Sequence, residues 1–130
     1  MVHPLSSENE IQNFLNMSKS KFVLTLDLFA SKFNEIINKT CIEKLIIASI
    51  SEELNIVKKI AYKVATRNIH SSNLLSSKVL NWKTFMSYGD NFNGDFKENR
   101  NPEDDAVILY SGGTTGTPKG VRLSNLGINA

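Results

Sequence analysis

Four of the seven glycines in this 130-residue chain fall between positions 112 and 120. They belong to the run Tyr110-Ser111-Gly112-Gly113-Thr114-Thr115-Gly116-Thr117-Pro118-Lys119-Gly120, which also holds three threonines, a serine and one lysine. The apolar residues 106–110, of strand length, lead into it. Val121-Arg122-Leu123 follow, with Ser124 and Asn125 as candidate helix N-caps. Glycines let a backbone turn sharply and approach a ligand without Cβ hindrance. Successive N–H groups in such a turn form an anion-binding concavity, to which hydroxyls and an ammonium add charge-assisted hydrogen bonds. Plain surface turns are also rich in Gly and Thr. Two details favour a polyphosphate cradle: the loop directly follows a strand, where open α/β sheets place their ligands, and it carries a lysine but no acid.

The run is not a Walker A loop, which needs G-x-x-x-x-G-K-[ST]. Pro118 stands before Lys119, and Gly120 follows where a Mg²⁺-binding hydroxyl would be required. There is no G-x-G-x-x-G fingerprint either, so neither an ordinary P-loop NTPase nor a Rossmann dehydrogenase fits.

Residues 110–120 resemble the phosphate-binding loop of the AMP-forming acyl-CoA synthetases, within the wider adenylate-forming superfamily. The pattern there is Tyr-Thr-Ser/Gly-Gly-Thr-Thr-Gly-x-Pro-Lys-Gly. Thr114, Thr115, Gly116, Pro118, Lys119 and Gly120 match it at the family spacing, a coincidence of roughly 10⁻⁷ to 10⁻⁸ per starting position at average residue usage. Ser111 replaces the commoner Thr, Gly112 the commoner Ser, and Asn125 a His often found after the following strand. A looser likeness covers nearly the whole chain: Pro4-Leu5-Ser6, a helix, and then a strand from Lys21 to Asp27, in the family's order.

The resemblance implies a ligase that activates a carboxylic acid, most simply a fatty acid, with ATP and Mg²⁺ to an acyl-adenylate, and transfers the acyl group to coenzyme A. It assigns ATP phosphate binding to Ser111, Gly112, Gly113, Thr114, Thr115, Gly116, Thr117, Lys119 and Gly120. Lys119 is the catalytic group, placing charge near the departing pyrophosphate. It assigns no metal ligand in this chain. The family's Mg²⁺-holding Thr-Glu segment, ribose-binding aspartate, acyl tunnel and C-terminal lysine domain lie further on. Residues 1–130 are therefore expected to be a fragment of an N-terminal AMP-binding domain, inactive alone. Two alternatives stay open: a non-catalytic nucleotide- or phosphate-binding module, and an adenylation-domain or luciferase-like member with another acid substrate.

The rest of the chain predicts an α/β fold: a partial doubly wound, mostly parallel sheet with flanking helices, part of a larger adenylate-forming domain. Ser7 and Glu10 have capping-box spacing, with Ile11, Phe14 and Leu15 next on one helical face. Residues 21–26 read as a strand. Asp27 reads as the cap of a second helix carrying Phe29, Phe33, Ile36 and Ile37. Residues 43–50 are almost continuously apolar, as in a parallel strand covered on both faces.

A third helix is expected over 52–67, with Leu54, Val57, Ile60, Ala61, Val64 and Ala65 on one face and Lys58, Lys59, Lys63 and Arg67 on much of the remainder. Its apolar face is expected to pack on the sheet. A basic amphipathic helix can also lie on an anionic membrane, so peripheral membrane contact through 52–67 is the competing expectation. Residues 68–105 read mostly as loop, with a short helix over 79–86 bringing Trp82, Phe85 and Met86 together. The acids Glu103, Asp104 and Asp105 read as solvated residues before a strand rather than as a Mg²⁺ site.

A net charge of +2 is too small to argue for nucleic acid. One cysteine, Cys41, cannot form an internal disulfide, which suits a reducing cytoplasm. No run approaches the ~20 apolar residues of a spanning helix. The expected location is cytoplasmic, peripheral to the inner face of the membrane if 52–67 docks there.

Overall fold

The computed structural model describes residues 1–65, 77–111 and 119–130, which fall into two compact units: Ser7–Phe92, and Met1–Ser6 with Asn93–Ala130. The polar stretch 68–76, with His70, and Arg67 lie outside the described residues.

The larger unit begins with α1 (Glu8–Ser18). Ser7 accepts from the Glu10 N–H while the Glu10 carboxylate accepts from the Ser7 N–H at 2.8 Å, the reciprocal cap that the spacing predicts. That hydrogen bonding also lowers the Glu10 pKa. The helix stops at Lys19, whose φ of 52° is left-handed, and Ser20 N–H closes back on the Leu15 carbonyl at 3.1 Å. Strand β1 (Phe22–Leu26) leads through a 3₁₀ turn (Asp27–Lys32) into α2 (Phe33–Ile36) and a second 3₁₀ turn (Ile37–Lys39). The expected second helix is thus one α-turn between two tighter ones.

Strand β2 (Lys44–Ala48) pairs in parallel with β1, Phe22 opposite Lys44 through Leu26 opposite Ala48. After a 3₁₀ turn (Ile50–Glu53), α3 (Ile56–Ala65) follows. Strand β3 (Val79–Asn81) then joins the other edge of β2, also in parallel, giving the order β1-β2-β3. This is the expected α/β layering, a parallel sheet with helical connections. The stretch 79–86 is not one helix. Val79 and Leu80 extend the sheet, and the Asn81 side chain caps α4 (Trp82–Ser87) by accepting from Thr84 N–H at 2.7 Å. Trp82 and Phe85 do meet, at 5.7 Å between ring centres, but Phe85 and Met86 are exposed.

The described core lies in this unit: Ile11, Phe14 and Leu15 of α1; Ala30, Phe33, Ile36 and Ile37 of the 3₁₀–α2 segment; Ile42; and Leu45 and Ile46 of β2. Leu45 is wholly inaccessible to solvent, as the apolar run of a central parallel strand requires. Edge strand β1 differs, leaving Phe22, Leu24 and Leu26 exposed on one face.

One expectation fails clearly. The apolar face of α3 does not pack on the sheet: Ile56, Val57, Ile60 and Val64 are exposed. Burying that stripe would turn the helix about its axis and pull Tyr62 from its partner, since Tyr62 projects from the opposite side and donates to Asp27 at 2.8 Å.

The smaller unit is built on an antiparallel hairpin of β4 (Asp105–Ser111) and β5 (Lys119–Ser124), followed by α5 (Asn125–Asn129). Of the two candidate caps, Ser124 serves, accepting from Gly127 N–H at 3.2 Å. Asn125 instead bonds back to the 101–104 turn through its N–H and its side chain. Among the described residues β4 pairs only with β5, so it is a hairpin strand rather than a further parallel strand of the β1–β3 sheet.

Candidate functional site

The hairpin gives the Gly/Thr run its frame. Its register sets Ile108 opposite Arg122, Leu109 opposite Val121, Tyr110 opposite Gly120 and Ser111 opposite Lys119. At the outer end, Asp105 and Arg122 form an ion pair that raises the guanidinium pKa further, mainly through the hydrogen bond and then through charge. A one-residue irregularity between Asp105 and Val107 shifts the pairing there.

Ser111 and Lys119 close the inner end. They stand as cross-strand partners, and the Ser111 hydroxyl donates to the Lys119 carbonyl at 3.4 Å. The loop between them leaves one strand and enters its neighbour, so both of its flanks are held side by side. Gly112, Gly113, Thr114, Thr115, Gly116 and Thr117, with Pro118, lie outside the described residues. Of the nine residues assigned to phosphate binding, the structure therefore places three: Ser111, Lys119 and Gly120.

Gly120 has a local reason to be glycine. A Cβ there would come within 3.2 Å of Ile108 Cγ2 and 3.3 Å of the Tyr110 ring. The Tyr110 ring thus covers the backbone of its cross-strand glycine, and a side chain would push it away just before the loop. Gly120 shapes the approach to the candidate site by letting Tyr110 lie close.

Two of the acids at the start of β4 have structural partners. Asp104 accepts from Asn101 N–H at 3.0 Å, and Asp105 is held by Arg122. Among the described residues no three His, Cys, Asp or Glu side chains come together as a metal site.

A second polar group stands at the carboxyl ends of β1 and β2, and the sequence did not point to it. Asp27, expected as a helix cap, instead ties three elements together. Its carboxylate accepts from the Ser49 hydroxyl at 2.5 Å, the Tyr62 hydroxyl at 2.8 Å and the Leu28 N–H at 2.9 Å. Ser49 and Ser51 share a further hydroxyl contact at 2.8 Å. Burial, then the hydrogen bond and charge of Asp27, push the Tyr62 hydroxyl pKa up to about 12. The available signal was positional: Asp27 and Ser49 each directly follow a parallel strand, so the sheet brings them together. The cluster's hydroxyls are engaged with one another and with Asp27, which suits anchoring α3 rather than acid–base chemistry.

Comparison with known proteins is consistent across the chain. The family model described as "AMP-binding enzyme" matches residues 1–130. The long-chain-fatty-acid–CoA ligase of Bacillus subtilis (strain 168) is 30% identical over 140 residues, covering 99% of this chain and 23% of that protein. The protein of the same name from Escherichia coli O6:H1 is 26% identical over 132 residues, covering 95% of this chain and 22% of its own length. The chain thus spans less than a quarter of these relatives.

Proposed function

We propose, from the premise that this chain belongs to the AMP-binding enzyme family, that it supplies the phosphate-gripping part of an AMP-forming acid–thiol ligase. The substrates we assign are ATP, a long-chain fatty acid and coenzyme A. The observation that carries this reading is the hairpin mouth: Ser111 and Lys119 are cross-strand partners, and the Gly/Thr run spans the gap between them. The names of the similar ligases support the fatty acid and the thiol. They favour this reading over a non-catalytic phosphate module or an adenylation-domain or luciferase-like enzyme.

In the proposed reaction a carboxylate oxygen attacks the α-phosphorus of ATP, the bond to the bridging oxygen breaks, and pyrophosphate leaves. The thiol of coenzyme A then attacks the acyl carbon and AMP departs. The backbone of 112–116 and the hydroxyls of Ser111, Thr114, Thr115 and Thr117 hold the β- and γ-phosphates. Lys119 stabilises the charge that grows on the leaving pyrophosphate; its preset position is worth more in the transition state than in the ground state. Mg²⁺ is assigned as a companion of the ATP phosphates, and no described residue is given to it. The assigned compartment is the cytoplasm.

Loss of a charged hydrogen bond of this kind costs about 1.5–3 kcal/mol. Lys119→Ala, made in the full-length enzyme that carries this sequence, should slow acid-dependent ATP–pyrophosphate exchange at least about tenfold. An unchanged exchange rate would remove Lys119 from the mechanism.

A further inference from the structure

Gly120 joins Lys119 to the rest of β5, and a glycine inside a strand has the freest backbone of any residue. Here the slot left by its missing side chain is filled. The place a Cβ would take lies 3.2 Å from Ile108 Cγ2, 3.3 Å from Tyr110 Cε1 and 3.6 Å from Tyr110 Cδ1. Two residues of β4 thus close over one residue of β5. Side chains alternate between the faces of a strand, so Ile108, Tyr110, Gly120 and Arg122 share one face and Ser111 and Lys119 the other. Lys119 is exposed, and among the described residues its ammonium has no ion-pair partner. Its position is therefore set through its backbone, by the pairing with Ser111 and by what covers Gly120.

We propose that Tyr110 is a positioning residue for Lys119: its ring, seated over Gly120, stiffens the hairpin one residue from the lysine and presets where the ammonium meets the departing pyrophosphate. The inference rests on the acid-activating reading. An aromatic ring laid over a cross-strand glycine restores order that the glycine gives up. A group that stabilises charge on a leaving group must be held within roughly 0.5 Å of its productive place. A misplacement of about 1 Å costs on the order of 100-fold in rate. The flexible stem of Lys119 cannot hold itself to that tolerance; a backbone fixed at Gly120 narrows what the stem has to span. The outer end of the hairpin is pinned separately, by Asp105 and Arg122. Removing the ring therefore leaves the strands paired and loosens their mouth.

The test is acid-dependent ATP–pyrophosphate exchange in the full-length enzyme that carries this sequence, with kcat and the KM for ATP separated. Tyr110→Ala should lower kcat roughly three- to tenfold, a fraction of what a 1 Å misplacement costs, and move KM by less than about twofold. Tyr110→Phe keeps the ring and should recover most of the rate. Added to Lys119→Ala, Tyr110→Ala should slow exchange by no more than about a further twofold, because it acts through the lysine. A residue that merely stabilised the fold would slow exchange equally with and without Lys119, and that result would overturn the proposal. So would an unchanged rate in Tyr110→Ala, or a Tyr110→Phe variant as slow as Tyr110→Ala. Each of these leaves the acid-activating reading standing. An unchanged rate in Lys119→Ala alone takes away the lysine's role and this proposal with it. If Tyr110→Ala fails to fold by circular dichroism, Gly120→Ala replaces it. Its methyl presses on the same ring and should slow exchange only where Lys119 is present; slowing in both backgrounds, or in neither, overturns the proposal there as well.

Discussion

Helices α1 and α3 carry the same kind of sequence and meet opposite fates. Both are amphipathic, of 11 and 10 residues, and both belong to the larger unit. The first buries Ile11, Phe14 and Leu15 to 5% exposure; the second leaves Ile56, Val57, Ile60 and Val64 in the open. Their attachments differ. Helix α1 is closed by a capping box and a left-handed C-cap and packs beside α2. Helix α3 has the preceding 3₁₀ turn as its main neighbour, and a Tyr62–Asp27 hydrogen bond fastens it. A 3.6-residue period states that a face is apolar; it does not state what that face meets.

The sharpest way to break this contrast is to truncate one buried and one exposed aliphatic residue and compare urea unfolding. Leu45→Ala empties a site fully shielded from solvent and should cost roughly 2–5 kcal/mol. Tyr62→Phe should cost roughly 1.5–3 kcal/mol, the loss of one hydrogen bond to a carboxylate, and should also change the alkaline limb. The Tyr62 pKa lies at about 12 in the fold against an ordinary 10.0. The folded state therefore holds this proton more tightly than the unfolded one. The resulting stability is whole below pH 10 and is lost as pH rises through about 12. Tyr62→Phe should remove that segment of the pH profile; an identical alkaline slope in both proteins would dissociate Tyr62 from the fastening of α3. Smallest of all, Ile60→Ala should change stability by no more than about 0.5 kcal/mol, the range of unconstrained surface positions. A cost near that of Leu45→Ala would mean that the stripe is covered and would end the comparison.

What was legible in the sequence was whatever a few adjacent residues decide. Ser7 with Glu10 names its own cap, and the apolar continuity of 43–50 names a central parallel strand. What escaped depends on distant chain. Val79-Leu80 is too short to declare itself a strand without β2 beside it. Asp27 looks like a cap until Ser49 and Tyr62 are brought to its carboxylate. Gly120 looks like one more phosphate-loop glycine until the hairpin sets it under Tyr110. The loop's family was legible for another reason: Gly, Thr, Pro and Lys at fixed spacing are too rare together to arise by composition. The frame was not, because the strand before the loop gives no hint that its partner is the strand just after it.

The account rests most heavily on ATP being split between its α- and β-phosphates. The direct measurement is to supply the full-length enzyme with ATP, a long-chain fatty acid and coenzyme A and to separate the nucleotide products. Formation of AMP and pyrophosphate in step with acyl-CoA, absent without the acid, is the predicted result. Formation of ADP and orthophosphate, or AMP released at a rate indifferent to the acid, would contradict it.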